Sequence, residues 1–269
     1  MENAVKLIAI TGGAGPLQDH PAEDIIAYAA RVSNPKNQKN FDTAPKLLEY
    51  CLRNGHFSVF ETVSMSVEVT TSRAIADQII RHRSFCIQQL SARYAETPEC
   101  LTYNPRRQDK RNRQNSIDDM DVELHSWFDD AQKHVQDVST RLYQDALDKG
   151  IAKECARFLL PMSSKTVLYM TGNCRSFIHY IGARTAEDSQ SEHRDIALQI
   201  KAVFLENFPA TSRALGCDGL LILCLGGLLD VAIDVDWVIC PLGHGDRRRL
   251  SLDRPGVVLA LLYRGRRQW

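Results

Sequence analysis

The sequence predicts an α+β fold: a small antiparallel or mixed sheet flanked by helices, with one long helical segment. Helical periodicity recurs along most of the chain, while strand-like runs are few and scattered. That pattern excludes a regular βαβ series. No internal repeat of solenoid or propeller length is present.

Residues 5–11 (VKLIAIT) form a short apolar run ended by Gly12-Gly13-Ala14-Gly15-Pro16, a strand followed by a turn. These glycines lack both Gly-Lys-Ser/Thr and the G-x-G-x-x-G spacing, so a turn is the better reading than a phosphate loop. Residues 21–32 open with Pro21 and acids and repeat Ile25, Ala29 and Val32 at helical spacing. A second helix spans 43–53 and stops at Asn54-Gly55. Residues 64–70 alternate, with Met65, Val67 and Val69 on one face, which is the pattern of a half-buried strand. Ser72 is placed to cap the next helix, whose i,i+4 pairs are Ile75/Ile79 and Ala76/Ile80. Residues 84–95 are less regular, and 104–116 read as a polar, basic loop.

A long helix is predicted over 116–149, with Asp118, Asp119, Asp121 and Glu123 in its first turns, where the helix dipole favours acids. A short helix over 151–160 ends at Pro161. Helices follow at 173–184 and 189–208, the last closed by Pro209.

The composition limits the function classes. The 269 residues carry 33 basic and 33 acidic side chains, and 44% are hydrophobic. A neutral chain of this length can bury a core without disulfides and is a poor match for a nucleic-acid polymer as its main partner. The eight cysteines form no C-x-x-C pair and no zinc spacing, so free thiols in a reducing cytoplasm are expected, and no metal. The N-terminus has no basic region ahead of a long apolar core, so no secretory signal is expected.

Composition breaks near Gly216. Residues 216–269 hold seven Arg and no Lys, six Asp and no Glu. The run LLILCLGGLL at 220–229 is too short to span a bilayer, and extending it brings in Asp230, Asp234 and Asp236. The expected division is a main domain over 1–215 and an extra C-terminal tail over 216–269. The tail is either an added partner-binding segment or sequence read out of frame past a lost stop, the second being favoured.

The densest chemical feature is residues 81–94, RHRSFCIQQLSARY. Three arginines and a histidine give positive charge with no acid beside them in sequence. Guanidinium forks bind phosphate or carboxylate in bidentate fashion. Interleaved Phe85, Ile87 and Leu90 predict that the segment is partly buried, and buried arginine needs an anionic partner.

Arg-His-Arg, seven residues, then Ser, followed by Arg93-Tyr94, resembles the signature of the flavin-dependent thymidylate synthases, the ThyX type. The resemblance extends over about residues 4–215. It includes Gly55-His56-Phe57-Ser58-Val59-Phe60-Glu61 upstream, and Glu154-Cys155-Ala156-Arg157-Phe158-Leu159-Leu160-Pro161 and Asn173-Cys174-Arg175 with Arg184 downstream. It implies a ThyX-like fold, a homotetramer with sites built from several subunits, and conversion of dUMP to dTMP. Methylenetetrahydrofolate would give the carbon, reduced FAD the hydride, and NADPH would refill the flavin.

By the same resemblance, Gln78, Arg81, Gln89, Leu90, Ser91, Ala92, Arg93 and Arg157 would contact dUMP. Arg184 would be the catalytic residue at the uracil edge, favouring the ionised N3. His56, Ser58, Arg81, His82, Arg83, Gln89, Asn173, Cys174, Arg175 and His179 would hold FAD. Gln89 and His179 depart from residues found in some members, where Glu and Asn stand instead. The alternative is a catalytically impaired homologue that binds nucleotide or RNA with the same cluster.

Other residues invite roles that are less favoured. Cys86 and Cys174 are better read as incidental or packed thiols than as nucleophiles. His125 and His134 lie on the long helix with no clustered carboxylate that would make a metal site. Residues 106–113 (RRQDKRNR) are the most basic stretch, better read as a solvated loop than as a lid over anionic substrates.

Overall fold

The computed structural model describes residues 3–216. All expectations for the tail beyond Gly216 lie outside the described residues, as do Cys217, Cys224 and Cys240.

The α+β expectation holds. Four strands, β1 (Ala4–Ile10), β2 (Ser64–Ser72), β3 (Cys86–Gln89) and β6 (Lys165–Asn173), form an antiparallel sheet in the order β1-β2-β6-β3. Two further strands, β4 (Arg107–Gln108) and β5 (Ser116–Ile117), pair as a separate short hairpin. The helices are α1 (Ala22–Ala30), α2 (Ala44–Arg53), α3 (Arg73–Ile79), α4 (Val122–Asp148), α5 (Lys153–Ala156), α6 (Cys174–Arg184), α7 (Ser191–Asn207) and α8 (Pro209–Ala214).

Period-two alternation decides which face of the sheet is covered. Met65, Val67 and Val69 of β2 and Leu168 and Met170 of β6 are fully buried. They pack with Ile26 of α1, Leu48 of α2, Ile75 and Ile79 of α3, Phe177 of α6 and Ile196 and Ile200 of α7 in one core. Burial of such side chains stabilises by roughly 1.5–3 kcal/mol each. The opposite face is polar: Ser66 hydrogen-bonds Thr171 at 2.8 Å, and Tyr169 donates to Glu68 at 2.9 Å.

Several expectations are corrected. β6 was not anticipated, although Thr166, Leu168 and Met170 alternate with less buried neighbours. β3 emerges from a stretch expected to be irregular because β6 offers it an edge to pair with. Residues 104–116 contain a hairpin rather than only a loop. Asp109 organises it by accepting the amides of Arg111 at 2.7 Å and Asn112 at 3.2 Å.

The long helix starts at Val122, not 116, because Ser116–Ile117 is used by the hairpin. Asp121 is its cap, accepting Leu124 N at 2.8 Å. Pro209 does not merely close α7: it opens α8. Ser72 sits at the cap position of α3 but its hydroxyl makes no capping bond. The first two amides of α3, Arg73 and Ala74, donate instead to the carbonyls of Ser164 (3.0 Å) and Met162 (3.1 Å).

The two ends of the described fold are stitched together. Buried Glu23 of α1 accepts the amides of Ala210 (2.9 Å) and Thr211 (2.6 Å) at the start of α8. Val5 N donates to Gln199 Oε1 of α7 at 3.1 Å. Among the described residues no helix is long and apolar enough to cross a membrane.

Candidate active site

α3 delivers the chain to the Arg81-His82-Arg83 turn, where Arg81 N donates to Gln78 O and His82 N to Ile79 O. Phe85 anchors the far side of this turn. Its ring is buried against Phe177 (5.0 Å between centroids) and Tyr180 (5.7 Å) of α6. It lies directly over Gly172 of β6, where a Cβ would run into the ring. A glycine is required there by close approach. The turn then enters β3 at Cys86.

The site residues fall into three groups. The first surrounds His82. Arg184, in the last turn of α6, donates from Nε to His82 Nε2 at 2.8 Å. His82 stacks edge-on against Tyr180, with centroids 4.9 Å apart. Burial and then the Arg184 charge lower the His82 pKa, so the imidazole is neutral and can accept this bond. It therefore adds no fixed charge, contrary to expectation. The Nη groups of Arg184 carry no hydrogen bond among the described residues.

The second group follows β3. Gln89 donates to Thr166 Oγ1 at 3.3 Å, and Leu90 N to Val167 O at 2.9 Å. Ser91 Oγ accepts Arg93 N at 3.3 Å, while Ala92 is buried. Arg93 forms an ion pair with Glu154 at 2.9 Å, so an acid distant in sequence offsets it. Arg157 Nε donates to the Glu154 carbonyl at 3.2 Å, which brings it to the same corner.

The third group joins the 57–61 turn to α6. Phe57 and His179 have ring centroids 5.4 Å apart, and Arg175 lies over Phe57 at 6.0 Å. Arg175 also pairs with Glu61. His56 stacks edge-on with Tyr50, and Ser58 is exposed. Asn173 caps α6, its Oδ1 accepting Ser176 N at 2.9 Å. No hydrogen bond, ion pair or ring contact among the described residues joins one group to another.

Two expectations change. Arg81, Arg83 and Arg93 are exposed in this chain rather than partly buried, because Phe85 and Ala92 alone turn inward. Arg81 and Arg83 have no acid partner among the described residues. Cys174 is fully buried, burial drives its thiol pKa well above the usual range, and its amide is spent on Val63 O at 2.8 Å. It is a packed thiol, as the sequence favoured, and is not available to a cofactor. Cys86 is exposed.

Tyr180, Gln190, Glu192, His193 and Arg106 also gather behind Gln78. Apart from Arg106, which lies in the basic 106–113 stretch, none was singled out from sequence, and Gln190 and His193 reach Gln78 from far along the chain.

Residues 17–210 match the family model described as thymidylate synthase complementing protein. The chain is 49% identical over 213 residues to the flavin-dependent thymidylate synthase of Synechocystis sp. (strain ATCC 27184 / PCC 6803 / Kazusa), covering 78% of this chain and 98% of that one. It is 31% identical over 201 residues to the enzyme of the same name from Thermosipho africanus (strain TCF52B), covering 74% and 88%. The solved UMP/dUMP methylase PolB from Streptomyces cacaoi, bound with 5-Br dUMP, superposes with a TM-score of 0.70 at 25% identity, covering 80% of this chain and 95% of that one. The chain belongs to the flavin-dependent thymidylate synthase family. The alternative of a non-catalytic nucleotide or RNA binder is not favoured by these likenesses.

Proposed function

We propose that this enzyme makes dTMP from dUMP by reductive methylation, with methylenetetrahydrofolate as carbon donor, FAD as the flavin and NADPH as its reductant. One observation carries the reading: Arg81 and Arg83, exposed and without acid partners among the described residues, lie in the same turn as His82, which orients Arg184. Uncompensated guanidinium groups have charge to spare for phosphates.

Gln78, Arg81, Gln89, Leu90, Ser91, Ala92, Arg93 and Arg157 would hold dUMP, Ala92 through its backbone since its side chain is buried. Arg93 would exchange Glu154 for the phosphate. Arg184 would stabilise the N3 anion of uracil with the Nη groups that its bond to His82 leaves uncommitted. Neutral His82 sustains that pose because an imidazolium could not accept the Arg184 proton.

The donor set fits a flavin dinucleotide. Arg81, Arg83 and Arg175 offer cations to its two phosphates, and His56, Phe57 and His179 offer flat rings. Ser58, His82, Gln89 and Asn173 complete the set. Bound reduced FAD supplies the hydride.

The three groups would be completed by other copies of the chain, as a homotetramer. Exposed Trp127, Val135 and Leu142 on α4 are apolar surface that a second copy would cover. Residues 1–215 would be the catalytic domain, since 98% of the Synechocystis relative matches within 78% of this chain. A cytoplasmic location is part of the same proposal.

The test is the visible spectrum of the purified chain and tritium release from 5-tritiated dUMP with methylenetetrahydrofolate and NADPH. A flavin spectrum with turnover is expected. A folded, colourless protein that takes up no FAD overturns the reading.

A further inference from the structure

Behind Gln78 lies a chain of hydrogen bonds in which every proton position is dictated. It begins at Glu192, a nearly buried carboxylate that accepts Arg106 Nη2 on Oε1 at 2.6 Å. Arg106 is itself held by Ser116 Oγ at 3.0 Å. Glu192 Oε2 is 2.9 Å from the Gln190 side chain, and a carboxylate can only accept, so the Gln190 amide NH2 must face it. The Gln190 carbonyl then faces Gln78 at 2.5 Å and requires its NH2. The Gln78 carbonyl in turn faces His193 Nδ1 at 3.3 Å and requires Nδ1–H. His193 Nε2 is left as an acceptor and takes the Tyr180 hydroxyl proton at 3.0 Å.

The imidazole must therefore be the neutral Nδ1–H tautomer. Its surroundings agree: His193 is buried, and the charged or titratable groups near it include Arg184, His82 and Tyr180. Burial first, then Arg184 and His82, push its pKa down to about 4. The Tyr180–His193 end of the chain is buried, while the Gln78–Gln190 bond is exposed. Turning the Gln78 amide over would break both of its bonds at once. Each amide group of Gln78 keeps one further site uncommitted, one N–H and one carbonyl lone pair.

We propose that His193 is a positioning residue that, with Tyr180 behind it and Gln190–Glu192 on the other side, fixes the orientation in which Gln78 meets the nucleotide. The proposal rests on Gln78 contacting dUMP. It predicts that His193 acts on nucleotide binding only through Gln78.

The experiment is a dUMP titration of the full-length, FAD-loaded chain as wild type, His193→Leu, Gln78→Ala and the double variant, with FAD content and kcat measured alongside. His193→Leu is expected to weaken dUMP binding about 10-fold while FAD content and kcat at saturating dUMP stay within about 2–3-fold. In the Gln78→Ala background the same change is expected to cost nothing more, which a merely structural role would not produce. Tyr180→Phe is read the same way, with an expected loss of about 3-fold alone and none on Gln78→Ala, and it carries the test if His193→Leu does not fold. Nitrogen NMR of the wild-type imidazole should show Nδ1 protonated. Unchanged dUMP affinity in the folded variants, an equal loss in the Gln78→Ala background, or an Nε2–H tautomer overturns the proposal alone. A wild-type chain indifferent to dUMP, or a Gln78→Ala variant that binds it normally, overturns the assignment of Gln78 as well.

Discussion

Two arginine-rich stretches of this chain look alike in sequence and differ in structure. Residues 106–113 are the more basic. Yet Arg106 is spent on Glu192 and Arg107 on Asp119, at 2.6 Å and 2.5 Å, while Lys110, Arg111 and Arg113 are exposed and form no ion pair among the described residues. Residues 81–83 hold fewer cations, and Arg81 and Arg83 have no carboxylate among the described residues. Local density of basic residues therefore does not measure capacity for an anionic ligand. What matters is where the unpaired charge stands: Arg81 and Arg83 flank His82 and its partner Arg184, whereas the unpaired cations of 106–113 stand on an exposed hairpin.

The sharpest break of this contrast is Arg184→Ala. Its Nη groups are uncommitted beside neutral His82, and removal should lower kcat about 10²–10³-fold, as loss of a donor to a developing anion does. Steady-state turnover against dUMP checks it. Next comes a matched pair. Arg81→Ala should weaken dUMP and FAD binding about 10–100-fold, the loss of a charge-assisted bond. Arg107→Ala, removing an exposed pair, should leave both affinities at the wild-type value. Equal losses from the two variants would erase the distinction.

The buried layer behind the free arginines should show in the pH dependence of stability. Unfolded His193 protonates near 6.5, whereas the folded side chain resists protonation down to about 4. The unfolded chain thus binds more protons in that window, so stability is full above about pH 6.5 and falls as pH drops toward 4. Between pH 7.5 and 5 the loss from this group is on the order of 1–2 kcal/mol, measured by denaturant titration. His193→Leu should flatten that slope.

Gly172→Ala probes the seat of the Arg81–Arg83 turn. The added methyl must displace the Phe85 ring, an overpacking that costs roughly 1–3 kcal/mol. A melting curve of the variant against wild type checks it. The hairpin holding Arg107 should be unaffected.

Much of the fold could be read from residue order because the helices are long and periodic. α1, α2, α6 and α7 lie where spacing put them, and the alternation of Met65, Val67 and Val69 gave the buried face of β2. β3 could not be read this way: four residues become a strand only because β6 lies alongside. β6 carried an alternation that was open to detection. The site divides in the same way. The Arg81–Arg93 run stands out by composition alone, but partners decide what each member does. Glu154 meets Arg93 from 61 residues away, and Gln190 meets Gln78 from 112. No window of sequence holds those pairings.

The clasp of Glu23 on Ala210 and Thr211 has a consequence for how the molecule is born. Its partners are separated by 187 and 188 residues, and the β2–β6 ladder joins segments about 100 residues apart. Contacts of such long span are slow to find and exact their loop-closure entropy before they return any stability. α1 leaves the ribosome early but has nothing to fasten its carboxylate to until α8 is made. Until then the Glu23 carboxylate waits without these amides, even where the apolar side of α1 has met α2 and the 57–61 turn, and a chain halted before Thr211 lacks one of the two.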